Sequence, residues 1–382
     1  RLAPNGRLFL EIGCEQAAAV AEMSQEAISV EEETIAEVFK TNGYRTAAIG
    51  KWHLGSRDEQ HPNNRGFDLF YGMKAGGRDY FYNEKKSDRP GDERNLLLND
   101  RQVKFEKYLT DAFSEKAVEF INESSQPFMM YLAYNAVHTP MQATDEDMAK
   151  FEGHPRQKLA AMTYALDRGV GTVIRGLKDS GKFDNTLIFF LSDNGGATTN
   201  QSSNYPLKGF KGNKFEGGHR VPYFVVWKNG IPAGKPYDGL VSSLDIFATA
   251  IDAASISKTR NRLDGVSLLP YLKGKKGEPH KVLYWRKMDT RAIRSGDYKL
   301  IITHGVDSVL YNIRRDPEEM NNLINKEPDL YRKLAKKLAK WEKNECIEPS
   351  WLEEGWRKIT NRYHQQLMHN EIKTAQDLYK KK

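Results

Sequence analysis

An α/β fold, with a mostly parallel central sheet sandwiched by helices and a smaller C-terminal antiparallel sheet plus helix, follows from three observations. Apolar runs alternate with amphipathic segments along the first 274 residues, as in a parallel sheet covered on both faces. Ionisable residues gather directly after three of those runs, in "GKWHLG", "NAVHTP" and "SDNGG", where open α/β sheets place their ligands. Beyond Gly274 the runs are short and broken by turn residues such as Ser295-Gly296-Asp297, which reads as antiparallel sheet.

The elements follow in order. "SVEEETIAEVFKTNG" is predicted to be a helix, opened by Ser29 and Glu32 at capping-box spacing and closed by Gly43. "YRTAAIG" is a strand. "TDAFSEKAVEFINES" is a helix with Phe113, Ala117, Val118, Phe120 and Ile121 near helical spacing. "PFMMYLAY" is a buried strand, and "QKLAAMTYALDRGVGTVIRGLKDSG" a long helix ending at Gly181. "NTLIFFLSDNGG" and "VPYFVVW" are strands, and "SSLDIFATAIDAAS" the next helix. "KVLYWRK", "RAIRSGDYKLIIT" and "SVLYNIRRDPEE" form the small sheet, with "PDLYRKLAKKLAKWEKNE" as its helix. On this reading residues 1–274 are an α/β catalytic domain and 275–345 a small α+β subdomain. Residues 346–382 are a basic tail with no fold signal.

Composition narrows the function classes. The net charge of +7 over 382 residues fits an anionic substrate or surface. No zinc-finger, RRM or helix-turn-helix pattern accompanies it, so nucleic acid is not an expected partner. No apolar run reaches the length of a membrane span. The two cysteines, Cys14 and Cys346, have no CxxC or CxxH context, which excludes a disulfide framework or a Cys-based zinc site. The chain starts with Arg1 and shows no leader, which reads as a fragment or a processed form.

Asp193 and Asn194 close an apolar strand ahead of two glycines. A carboxylate beside an amide oxygen is half a site for a hard cation, although Asp-Asn-Gly-Gly is also good turn chemistry. His138 follows its strand and either hydrogen-bonds its own loop or faces a substrate. Lys208, Lys211 and Lys214 lie in a Gly-rich loop before Glu216-Gly217-Gly218, where ammonium groups can hold an oxyanion or simply be solvated. Glu216 and Arg220 read as a structural ion pair. Lys51 and His53 stand two apart after "TAAI", a spacing that sends both side chains the same way in extended chain. Three strands delivering such groups to one edge predict a single active site. A cation, lysines and histidines around an anion form the equipment for sulfuryl or phosphoryl transfer.

These motifs together resemble the type I sulfatases, within the alkaline phosphatase-like superfamily. "GYRTAAIGKWHLG" looks like the family's second signature. "RGFDLFYG", "PFMMYLAYNAVHTP", "YALDRGVGTVIRGLKDSGKFDNTLIFFLSDNGG", "PLKGFKGNKFEGGHRVP" and "LDGVSLLPYL" follow in the family's order, from about Glu31 to Leu323. The resemblance implies that Lys51 contacts the sulfate and that His53 holds the nucleophile's hydroxyl. It places His138 near the leaving-group oxygen, and makes Asp193 and Asn194 ligands of a divalent cation, usually Ca2+. Lys211 is implied to bind sulfate, with Lys214 a competitor for that role. A periplasmic, secreted or lysosomal location is implied as well.

The family nucleophile is a formylglycine made from Cys or Ser within Cys/Ser-x-Pro-x-Arg. No such motif occurs here: Cys14 precedes "EQAA" and Cys346 precedes "IEPSW". By position the nearest stretch is "RLAPNGRLFLEIG", with Pro4, Arg7 and Gly13 but Leu2 or Ala3 in the nucleophile's place. The sequence therefore reads either as an incomplete copy of a sulfatase or as a pseudo-sulfatase that binds sulfated glycans, and the chain as given is expected to show little turnover. Retention of six costly polar residues favours the first. A phosphomonoesterase or phosphodiesterase is the other enzyme reading, although such sites usually hold a second metal with more His and Asp ligands. The aromatic and basic loop "MKAGGRDYFYNEKKSDRPGDERN" suits a sulfated sugar as substrate.

Overall fold

The computed structural model describes residues 7–10, 21–22, 25–26, 28–200, 202–257, 259–345 and 354–380. The chain forms two compact units. The first holds Gln25–Leu191 and Tyr223–Gly277 with the strand Arg7–Leu10, and the second holds Ser192–Pro222 and Glu278–Lys382.

The strands of the first unit's main sheet are β1 (Arg7–Leu10), β2 (Arg45–Lys51), β3 (Leu69–Met73), β4 (Leu97–Leu98), β5 (Arg101–Gln102), β6 (Phe128–Ala133), β7 (Thr186–Leu191) and β8 (Tyr223–Val226). They make one sheet in the order β8-β7-β1-β6-β2-β3-β4-β5. The contiguous pairs from β7 through β3 are parallel, and β8, β4 and β5 add antiparallel edges. The apolar runs are explained by burial on both faces. Phe128, Met130 and Leu132 of β6 pack on one side with helices α2 (Leu109–Glu123) and α3 (Gln157–Asp179). Met129, Tyr131 and Ala133 pack on the other with α1 (Ile35–Thr41) and α4 (Asp245–Ala254).

Two sequence expectations shift. The first helix starts later than Ser29: Thr34 is its N-cap, and Thr34 and Glu37 form the capping box. Both positions satisfy the same spacing, and the one abutting the apolar run caps the helix, its hydroxyl also donating to the Arg65 carbonyl at 2.9 Å. "VPYFVVW" is an antiparallel edge strand rather than a buried one, which leaves Phe224 58% exposed.

The second unit is built on an antiparallel sheet of β9 (Val282–Lys287), β10 (Thr290–Ser295), β11 (Tyr298–Thr303) and β12 (Asp307–Asn312), in that order. Ile293, Leu300 and Leu310 face Leu334 and Leu338 of α5 (Pro328–Glu345). Ala292, Ile301 and Val309 face the opposite way, toward Phe210, Phe215 and the residues Leu367 and Met368 of α6 (Glu354–Met368). The tail that carried no fold signal thus contains a helix covering the second face of the sheet. Sparse apolar positions hid it: its buried residues are only His364, Leu367 and Met368. No described helix is long and apolar enough to cross a membrane.

Candidate active site

The six predicted residues divide between the units: Lys51, His53 and His138 belong to the first, Asp193, Asn194 and Lys211 to the second.

Lys51 ends β2 and is 9% exposed. Just before it, Gly50 has a φ of +110°, and a Cβ there would lie 2.0 Å from the Ala133 carbonyl oxygen of β6. Only glycine permits that approach. His53 does not continue the extended chain. Its φ is +52°, a left-handed conformation uncommon outside glycine, Asn, Asp and His and concentrated at functional sites. The turn is held by Trp52 N–H donating to the Met73 carbonyl at 2.9 Å and His53 N–H to that of Lys74 at 3.0 Å. The expectation that spacing by two aligns Lys51 with His53 therefore gives way to a tight turn that aims His53 by itself.

His53 and His138 are brought to one stretch of backbone. A Cβ at Gly76 would lie 2.6 Å from His53 Nε2, and one at Gly77 would lie 3.4 Å from His138 Nδ1. The glycine pair lets the chain pass against both imidazoles. His138 Nδ1 lies 2.8 Å from the Thr139 carbonyl oxygen. A carbonyl only accepts, so Nδ1 carries a proton in this contact. The buried Tyr80 hydroxyl sits 2.7 Å from the Asn135 carbonyl oxygen and 2.9 Å from that of His138, tying the loop down. Arg78 and Asp88, both buried, form an ion pair next to the glycines in which one guanidinium nitrogen, Nη2, reaches both carboxylate oxygens at 2.7 and 2.8 Å. Asp79 accepts from Ser87 Oγ at 2.6 Å and Gln142 Nε2 at 2.8 Å. Sequence reasoning missed Gly76, Gly77 and Tyr80; the doubled glycine ahead of an Arg-Asp pair was the available signal.

In the second unit two loops are laced together. Gly195 N–H donates to the Gly218 carbonyl at 3.0 Å, and Lys211 N–H to that of Gly196 at 3.1 Å. A Cβ on Gly195 would lie 1.7 Å from the Gly217 oxygen, so the Gly-Gly of each loop serves the other. This brings Asp193 and Asn194 onto the same pair of loops as Lys211. Asp193 Oδ1 accepts from Asn194 N–H at 2.9 Å. The Asn194 Nδ2 is buried without a hydrogen-bond partner. A half-turn of the amide exchanges its oxygen and nitrogen, so this side chain is available to a further ligand. The donor set fits a hard cation in kind, supplying two of the six to eight oxygens that Ca2+ takes. Among the described residues no group of three His, Cys, Asp or Glu could hold a metal. The positions weighed for a formylglycine, Leu2, Ala3, Cys14 and Cys346, lie outside the described residues.

Lys208 is removed from the oxyanion set. Its ammonium is fully buried, donating to the Glu319 carbonyl at 2.9 Å and to Asn370 Oδ1. Burial lowers its pKa to about 8. Glu216 and Arg220 do approach, at 3.6 Å. The closer partner of Glu216 is Lys299, which bridges Glu216 and the buried Glu319 at 2.9 Å each. Lys299 also donates to His219 Nε2 at 3.0 Å. Burial, then the Lys299 charge, pushes the His219 imidazole down to about 3. The unfolded chain takes up this proton first, so stability falls as pH drops below about 6.5. Relative to a His219→Gln variant, the native chain is expected to lose roughly 2 kcal/mol between pH of about 6.5 and 5, read from urea midpoints.

Two family descriptions match this chain: Sulfatase over residues 15–256, and N-sulphoglucosamine sulphohydrolase, C-terminal, over 211–344. The chain belongs to the sulfatase family. It is 36% identical over 295 residues to the uncharacterized sulfatase YdeN of Escherichia coli K12, which spans 69% of this chain and 51% of YdeN. It is 30% identical over 284 residues to the N-acetylgalactosamine-6-sulfatase of Canis lupus familiaris, covering 70% of this chain and 54% of that protein. The chain thus spans about half the length of these curated relatives. Among solved structures, Ps i-CgsB in complex with k-i-k-neocarrahexaose aligns with a TM-score of 0.80 at 35% identity, over 89% of this chain and 80% of that one. PsFucS1 sulfatase from Pseudoalteromonas sp., at 22% identity, covering 90% of this chain and 78% of its own, with a TM-score of 0.67, shares the fold.

Proposed function

We propose that this chain serves the hydrolysis of sulfate esters, with a sulfated carbohydrate as the favoured substrate class. The observation that carries the reading is the Gly76–Gly77 backbone laid against both His53 and His138 beside the strand end that bears Lys51. Lys51 is the cation for the sulfate oxygens. His53 hydrogen-bonds the attacking oxygen, whichever group supplies it. His138, protonated at Nε2, donates to the leaving oxygen while Nδ1 remains engaged with Thr139. Lys211 is a further sulfate-binding cation, with Lys214 its alternative. Asp193 and Asn194 would hold a divalent cation, Ca2+ by resemblance to the family, which when bound would neutralise sulfate charge. Support for a sugar comes from the 35% identical structure bound to a neocarrahexaose and from the net charge of +7.

Calorimetry with an aryl sulfate and the matching aryl phosphate tests the reading. The sulfate ester is expected to bind, and Lys51→Ala to weaken it by about 10- to 150-fold, the value of one charge-assisted hydrogen bond. Preference for the phosphate, or binding indifferent to Lys51, would favour the phosphatase and glycan-binding alternatives respectively.

A further inference from the structure

Residues 354–380 lie outside both family matches, yet the segment after α6 holds the loops that carry half of the candidate residues. Lys208 opens the lysine loop, and its buried ammonium ends on Asn370 Oδ1 and the Glu319 carbonyl, over the Phe215 ring at 5.0 Å. Asn370 and Glu319 both take left-handed backbone, with φ of +60° and +55°, a conformation retained only where the surroundings enforce it. The next residue of the loop, Gly209, donates its N–H to the Lys373 carbonyl at 2.7 Å. The Lys373 ammonium pairs with Glu318 and stands 5.3 Å over the Tyr205 ring. The Tyr379 hydroxyl donates to the Thr198 carbonyl. Asp377 fixes the segment itself, accepting from the N–H groups of Lys373 and Thr374 at 3.0 and 2.9 Å. Ile372 and Ala375, both buried, pack into the cluster that contains Phe210 and Phe215.

The grip therefore falls on residues 198, 205, 208 and 209, flanking both loops that meet through Gly195, Gly196, Lys211 and Gly218. We propose that Asn370–Tyr379 is a clamp that sets the positions of Asp193, Asn194 and Lys211, with Lys208 and Asn370 as its positioning residues, and so tunes affinity for the sulfate group. The ligand in this proposal rests on the sulfatase reading above; the clamp itself does not.

The full chain is compared with Asn370→Ala, Asn370→Asp and Tyr379→Phe by hydrogen exchange and by calorimetric titration with inorganic sulfate. Asn370→Ala is expected to speed exchange in peptide 204–219 by about tenfold or more while peptides of β10 and β11 keep their protection. Sulfate binding should weaken by about fivefold in the same variant, a modest coupling of loop position to affinity. Asn370→Asp, which still accepts from Lys208, should restore both. Tyr379→Phe, which removes a single exposed donor and leaves the core intact, should speed exchange only in peptide 195–205. Unchanged exchange at 204–219 in Asn370→Ala, or faster exchange spread equally over the sheet, overturns the clamp. If the loops respond as expected but the parent chain binds no sulfate, the sulfatase reading fails and the clamp stands.

Discussion

Replacing Asp88 by Ala is expected to cost roughly 3–5 kcal/mol of stability, the cost of leaving one member of a buried ion pair alone. Both side chains of the Arg78–Asp88 pair are fully enclosed. Burial already disfavours the Arg78 charge, and Asp88 is the main influence that restores it. The other partners of the guanidinium are the carbonyls of Asp79 and Arg94, at 3.1 and 2.9 Å, and the Phe105 ring at 4.7 Å. The carbonyls and the ring carry no net negative charge, and the nearby Asp79 carboxylate, a smaller influence than Asp88, is engaged by Ser87 and Gln142. The variant must therefore strand a cation, open the loop to water, or deform the segment leading from Gly77 to Tyr80. Replacing the pair by Met at 78 and Leu at 88 should recover most of the loss, because a buried pair is often no better than apolar packing of similar volume. Urea unfolding reads both results. A shift for Asp88→Ala within the ~0.5 kcal/mol of an ordinary surface substitution would refute the assignment of the pair as the loop's internal support.

Lys299→Met should have an effect of similar size in the second unit, also roughly 3–5 kcal/mol, with a pH dependence that marks its origin. Lys299 is the cation shared by two buried carboxylates, Glu216 and Glu319. Burial works against ionisation of Glu216, but Lys299, His219 and Arg294 together hold its pKa well below the ordinary carboxylate value. For Glu319 burial prevails over Lys299 and its pKa is raised, with the Glu216 charge adding to the rise. Without Lys299 both carboxylates become harder to ionise in the folded chain than in the unfolded one. The native state then binds more protons than the unfolded state, so the variant's stability falls as pH rises above the ordinary carboxylate range. The deficit should be greatest at neutral and alkaline pH and shrink toward pH of about 4.5. Arg294 and Arg220 remain near Glu216, at 3.9 and 3.6 Å, so Glu319 should carry most of the change. Urea midpoints taken across this range check it, and a deficit that does not vary with pH would point to lost packing instead.

The parallel core was legible because strands such as "FMMYLA" and "LIFFL" carry no charged or strongly polar residue, and burial on both faces is what that pattern requires. The candidate residues were legible as far as they stand at or soon after strand ends: Lys51 closes its strand, and His138, Asp193 and Asn194 follow theirs within a few residues. The geometry around His53 was not, since its left-handed turn is imposed by pairing with Met73 and Lys74, which no local pattern announces. Remote contacts left even less trace. Tyr80 reaches His138, Glu319 reaches Glu216, and Asn370 reaches Lys208, each across a stretch of chain that no periodicity spans. Lys208, Lys211 and Lys214 look alike in the sequence; only burial separates the anchor from the candidates for anion binding. The α6 helix escaped because one buried stripe on an otherwise charged segment differs little from a solvated tail.

The location of β1 has a consequence for how the molecule is made. The first of the described strands occupies an interior place in the sheet, where Leu8 is in register with both Met129 and Leu187. A ribosome adding about 5–20 residues each second would leave β1 waiting on the order of ten seconds or more before β7 has emerged. Until then β1 can pair with β6, but its other edge, the one that later takes β7, has no partner. Slow, late closure of this kind exposes unpaired strand edges during synthesis, making the nascent chain a natural client for chaperones that shield such edges.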